Sequence, residues 1–131
     1  MRLSLHDGIM LVAESKDPQG VARIAKQERE ERGMYARVSK LESPPEQVDE
    51  LGRIATEWVA PSLAQMDGFR GILALASRQS GEVQLVTLWE SEETLLQSEE
   101  EADQLRGGTA QAVDGEIAEV ERYEVVLRYI L

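Results

Sequence analysis

A chain of 131 residues that is 42% hydrophobic can bury one helix–sheet core but not two independent ones. It has no cysteine, which excludes disulfides, thiolate metal sites and a cysteine nucleophile, and no apolar run approaches the roughly 20 residues of a membrane helix. The formal charge of −11 is uneven: residues 1–33 hold six basic and six acidic residues, so residues 34–131 carry all of it and repel phosphate backbones, which argues against nucleic-acid binding.

The first 33 residues read differently from the rest. Acid and glycine at Asp7-Gly8 interrupt the apolar start, so a signal peptide is not expected and a soluble cytoplasmic protein is. Ile9 to Ala13 is a short apolar run, Asp17-Pro18 marks a turn or helix start, and Gln19 to Arg32 is charged and weakly helical before Gly33 ends it. Residues 1–33 are therefore expected to be a loosely docked, weakly helical or disordered extension. A second reading starts from Glu30-Glu31-Arg32-Gly33 just ahead of Met34. GAG-GAG codons there would resemble a ribosome-binding site, which would make Met34 the natural start; mass spectrometry of the native protein decides between the two.

The domain proper, residues 34–131, opens with a strand from Tyr35 to Leu41. Ser43-Pro44-Pro45-Glu46 then combines a serine N-cap, proline in the first turn and glutamate three residues on, the pattern of a capping box. A helix follows through Val48, Leu51, Ile54, Ala55, Trp58 and Val59, with Pro61 expected to tighten or end it. Asp67-Gly68 is a turn, Phe69 to Ser77 a second strand, Arg78 to Gly81 a hairpin loop, and Glu82 to Trp89 a third strand. In that strand Val83, Leu85, Thr87 and Trp89 share one face, while Val86 and Leu88 make the other face apolar too. A helical layer covers one side of a sheet, so the second side calls for another sheet, most simply from a second copy. Ser91-Glu92-Glu93 caps the next helix, which Gly107-Gly108 is expected to break before a short further helix from Thr109 to Val113. A long last strand, Ile117 to Ile130, is expected to reach past its own sheet into a partner's.

The order strand–helix–hairpin–helix–strand is the ferredoxin-like βαββαβ arrangement of an α+β domain. Within it, Asp67-Gly68-Phe69 opening the second strand, the glycine hairpin, and the run Leu85-Val86-Thr87-Leu88-Trp89-Glu90-Ser91-Glu92-Glu93 resemble the antibiotic biosynthesis monooxygenase (ABM) superfamily. The similarity covers about Tyr35 to Tyr129. It implies a homodimeric α+β barrel whose sheets face each other, with a pocket between each sheet and its helices. Some members oxygenate polycyclic aromatic compounds without metal or flavin, and others bind and degrade haem.

The resemblance points to Trp89 as the candidate catalytic residue, because it resembles a pocket-lining tryptophan of catalytic members. An indole offers a flat apolar wall and one N–H donor for a planar substrate, and core packing is the competing role. Candidate substrate-binding residues are Trp58, where core packing fits a helical stripe better, and Tyr35, Tyr123 and Arg37 on strands. The guanidinium of Arg37 could stabilise an enolate or peroxide-like anion, or pair with a neighbouring acid. Haem-degrading relatives use an asparagine in the first strand and a histidine in the second helix. Ala36 stands where that asparagine would be, the helix from Ser91 to Leu105 has no histidine, and His6 is the chain's single one. Haem is therefore disfavoured and no cofactor is expected, nor a metal, since the acids at Glu92-Glu93 and Glu99-Glu100-Glu101 read as solvated helix surface.

Two functional readings follow. One is a cofactor-independent monooxygenase-type domain acting on a small aromatic or quinol-like compound in the pocket. The other is a non-catalytic small-molecule-binding module, or a structural dimer, of the same fold.

Overall fold

Strand β3 (Tyr35–Glu42) organises the molecule, because its alternating side chains separate a helix-covered face of the sheet from an open one. The computed structural model describes residues 3–6, 9–12 and 33–130. In the N-terminal extension, β1 (Leu3–His6) and β2 (Ile9–Val12) pair as a separate antiparallel ribbon, which the reading of a weakly helical or disordered arm did not anticipate. The helical stretch expected from Gln19 to Arg32 lies outside the described residues.

Strands β3, β4 (Phe69–Ala76), β5 (Glu82–Trp89) and β6 (Glu116–Glu124) form a four-stranded antiparallel sheet in the order β4-β5-β3-β6. With one helical segment between β3 and β4 and another between β5 and β6, this is the expected ferredoxin-like α+β topology. Val83, Leu85, Thr87 and Trp89 of β5 are buried against the helices. Leu41, Leu51, Leu95 and Leu105 join Leu85 and Trp89 in the core, each buried side chain contributing roughly 1.5–3 kcal/mol of hydrophobic stabilisation.

The first helical segment does not start as the sequence suggested. A 3-10 turn, Pro45–Gln47, leads into α1 (Val48–Ile54), and its N-cap is Pro44 with no side-chain bond. Ser43 lies one residue too early to cap. Its hydroxyl and its N–H both donate to the Gly81 carbonyl, at 3.2 and 3.0 Å, tying the β4–β5 hairpin to the helix entrance. Gly81 has φ +80°, and a Cβ there would overlap the Ser43 carbonyl, so this tie requires glycine. Beyond α1 the chain widens into a π turn, Ala55–Val59, and continues as α2 (Ala60–Leu63). Pro61 does not stop it, because the π turn just before it, where the Ala60 N–H donates to the Ala55 carbonyl, already departs from the i→i−4 ladder at the point where the proline lacks an N–H.

Helix α3 (Glu92–Gln97) is capped by Ser91 as expected, with the Thr94 N–H donating to the serine hydroxyl at 3.1 Å. Helix α4 (Glu99–Ala112) runs straight through Gly107-Gly108, contrary to the expected break. The reason is packing: a Cβ on Gly108 would come within 2.6 Å of the Trp58 ring, so the glycine admits the indole rather than ending the helix. Within one copy, strand β6 ends at Glu124. Its partner β3 begins at Tyr35, and after a last bond from the Val125 N–H to the Met34 carbonyl the described residues offer no further pairing for it. Val126 beyond it is 83% exposed.

Candidate functional site

Arg37 faces the helices from the middle of β3, paired in register with Thr87 on β5 and Arg122 on β6. It is 1% exposed. Its Nη2 donates to the Leu95 carbonyl at 2.8 Å and to the Ser98 hydroxyl at 2.9 Å, and lies 3.0 Å from the Glu99 carboxylate. The guanidinium thus braces the α3–α4 junction, where a cation complements exposed helix carbonyls. Its other two nitrogens, Nε and Nη1, are buried without a hydrogen-bond partner. Burial lowers the Arg37 pKa, while hydrogen bonding and charge from Glu99 act to raise it. Glu99 also receives two 2.6 Å bonds from Arg122. Those bonds first, and Arg37 second, hold its carboxyl down at about 2.

Arg106 enters the same space from α4. Its side chain is 7% exposed, with Nη1 donating to the Ser39 hydroxyl at 3.3 Å and Nη2 to Asp103 at 3.2 Å; Nε is buried and unpartnered. Between the two arginines lies a cavity of about 30 Å³ that opens to solvent. Arg37, Ser39, Leu85 and Thr87 of the sheet form its floor, and residues of the π turn, α2 and α4, including Val59, Leu63, Leu105 and Thr109, form its walls.

Of the residues singled out from the sequence, Arg37 lines this cavity. Trp89 lies directly beneath it: the Arg37 guanidinium sits 5.7 Å from the indole centroid, and Phe69 meets the ring edge-on at 5.4 Å. The indole is fully buried and its N–H donates to the Thr87 hydroxyl at 3.0 Å, so it is not the free donor expected for a planar substrate. Tyr35 pairs in register with Trp89 but is not part of the wall; a hydrogen bond to Glu92 and that carboxylate's charge raise its pKa. Trp58 is a correction to the expected core stripe: it is 43% exposed, with its ring across Gly108. Tyr123 lies on the opposite face of the sheet, donating to Glu121 at 2.6 Å, and cannot reach the cavity.

Sequence reasoning missed Arg106, Ser39 and Thr87. A signal existed for the arginine, which falls in the helical stripe set by Ala102, Leu105 and Thr109, where a charge is out of place on a buried face.

A four-stranded antiparallel sheet under a helical layer, with a mainly apolar cavity between them that two buried arginines enter, defines the class. Residues 34–115 match the family described as antibiotic biosynthesis monooxygenase, and the chain belongs to that family. It is 32% identical over 92 residues to the uncharacterized protein Rv2557 of Mycobacterium tuberculosis H37Rv, covering 70% of this chain and 41% of that protein. To Rv2558 of the same organism it is 33% identical over 94 residues, covering 72% and 39%. The chain therefore spans about two-fifths of the length of the curated relatives it matches.

Among solved structures, the monooxygenase from the gene ActVA-Orf6 of Streptomyces coelicolor, in complex with nanaomycin D, superposes with a TM-score of 0.56 at 20% identity, covering 77% of this chain and 92% of that one. The haem-degrader MhuD of M. tuberculosis, with two haems bound, gives 0.57 at 24% identity, covering 72% and 98%. SnoaB, a cofactor-independent oxygenase of Streptomyces nogalater, gives 0.50 at 13%, covering 76% and 97%. At these identities the likeness shows the fold.

The residues around this cavity do not fit an iron porphyrin, since the wall offers no histidine, cysteine, methionine or tyrosine to hold the iron. Among the described residues no group of three His, Cys, Asp or Glu side chains could hold a metal ion, and no described helix is long and apolar enough to cross a membrane.

Proposed function

We propose that this domain is a cofactor-independent monooxygenase-type domain acting on a small aromatic or quinol-like compound between sheet and helices. The observation that carries it is the cavity itself, lined by two buried guanidiniums that retain unpartnered N–H groups. An electron-rich substrate such as an anthrone loses a proton to give an enolate, and the enolate reduces dioxygen directly. One oxygen atom enters the substrate, converting its CH₂ to C=O, and the other leaves as water. Arg37 stabilises the developing oxyanion in a site of low dielectric. Trp89, packed beneath Arg37, positions that guanidinium rather than touching the substrate. Fold likeness to oxygenases that include a cofactor-independent one is consistent with this chemistry.

Oxygen uptake with a panel of anthrone-like quinols tests the reading. A rate above background that falls on Trp89→Phe supports it; no rate, or no loss in the variant, refutes it. One observation favours a second reading, that of a binding module without turnover: apart from arginine, the wall holds no titratable side chain to serve as general base. A small molecule carried through purification and released unchanged would support that reading.

We further propose that the domain works as a homodimer. On the helix-free face Val38, Leu73 and Val86 align in register, flanked by Leu75 and Leu88, and Leu73 and Leu75 are 52% and 51% exposed. A second copy presenting the same band would cover it by a two-fold contact. Sedimentation should show a dimer that Leu73→Glu splits into monomers.

A further inference from the structure

We infer that the space between Arg37 and Arg106 is a subsite for one anionic acid group, and that the ligand is an aromatic carboxylate entering with its acid end first. The aromatic half of this statement rests on the function proposed above; the anion subsite does not.

The first support is the inventory of uncommitted polar groups. Arg37 Nε and Nη1 and Arg106 Nε are buried and unpartnered. The Ser39 hydroxyl accepts from Arg106 and the Thr87 hydroxyl accepts from Trp89, which leaves each with a proton to donate. The Thr109 hydroxyl is already spent on the Leu105 carbonyl at 2.7 Å. What the wall still offers is therefore a set of donors, which an acceptor with several lone pairs satisfies. A buried donor without a partner is costly, and one carboxylate would satisfy several of these donors at once.

The second support is charge. Two buried arginines, Arg37 and Arg106, line this space, and their carboxylates are Glu99, which the part-exposed Arg122 shares, and Asp103. Asp103 is 76% exposed and therefore strongly screened. A protein of net charge −11 thus keeps a local positive excess inside its core, which one carboxylate would neutralise.

The third is size. The cavity, about 30 Å³ and open to solvent, has room for one small acid group, so the acid end would enter it and the ring system would stay at its mouth.

Calorimetry of the full chain with 2-naphthoate and with neutral 2-naphthamide tests the ligand class, and thermal melting with formate at fixed ionic strength tests the subsite alone. The expected result is that naphthoate binds at least ten-fold more tightly than the amide and that formate raises the melting temperature. Arg106→Met should abolish both effects while melting no lower than wild type in anion-free buffer, because it removes a poorly paired buried charge. Arg106→Lys, which keeps the charge, should retain part of the preference and serves if the methionine variant does not fold. Equal affinity for acid and amide overturns the carboxylate assignment and leaves an aromatic pocket standing. Stabilisation by formate without naphthoate binding upholds the anion subsite and overturns the aromatic reading. No response to either acid, or a preference that survives in Arg106→Met, overturns the subsite.

Discussion

Replacing Glu99 by glutamine removes the carboxylate that Arg122 and Arg37 share, while keeping its shape. The native carboxyl titrates at about 2 against an ordinary 4.5, and at 1.36 kcal/mol per pKa unit this bounds its contribution to stability near 3 kcal/mol. Glu99 and Arg122 both reach solvent, at 28% and 42% exposure, so screening reduces the figure to roughly 1–2 kcal/mol. A depressed carboxylate pKa stabilises the fold above the unfolded value of 4.5 and loses that stabilisation as pH falls toward 2. Glu99→Gln should therefore melt about 5–10 °C below wild type at pH 7. The gap should shrink by more than half by pH 3, measured by circular dichroism across that range. An equal gap at both pH values, or no gap at pH 7, would refute the claim that Glu99 holds the two arginines in place by charge.

Two further perturbations separate packing from chemistry. Gly107→Ala meets nothing within 4 Å and should stabilise α4 by up to about 1 kcal/mol, read by urea denaturation. Gly108→Ala should lose that gain and shift tryptophan emission, because its Cβ would force the Trp58 ring outward. Equal stabilisation by both would show that the indole does not rest on Gly108. Trp89→Phe removes the N–H bond to Thr87 and the face beneath Arg37, and should cost about 1–3 kcal/mol in urea denaturation. A neutral result would remove Trp89 as the support of Arg37.

Much of this molecule was legible from local pattern. Alternation along Glu82–Trp89 marked β5 and its buried face, and Ser91 announced the start of α3, because both signals depend on neighbours within a few residues. The order of elements and the run ending in Trp89-Glu90-Ser91 pointed to the family that residues 34–115 match. Gly107-Gly108 misled because glycine's weak helix propensity is a local term of about 1 kcal/mol, which contact with Trp58, 50 residues away in sequence, overrides. Ser43 misled because the helical segment begins one residue later, with Pro44 at the N-cap, while the serine is held on the hairpin at Gly81.

The site divides in the same way. Arg37 could be named as a strand cation able to meet an anion or a neighbouring acid, but that it faces the helices and is buried was decided by the fold. That Arg106 would meet it, that Glu99 would be shared, and that the Trp89 N–H would be spent on Thr87 rather than left for a ligand are all facts of tertiary structure. Periodicity in a sequence states which side chains face a layer. Which groups they meet there depends on how helices and sheet are stacked, and in a buried, low-dielectric interior that pairing decides whether a charge is a brace or a binding site.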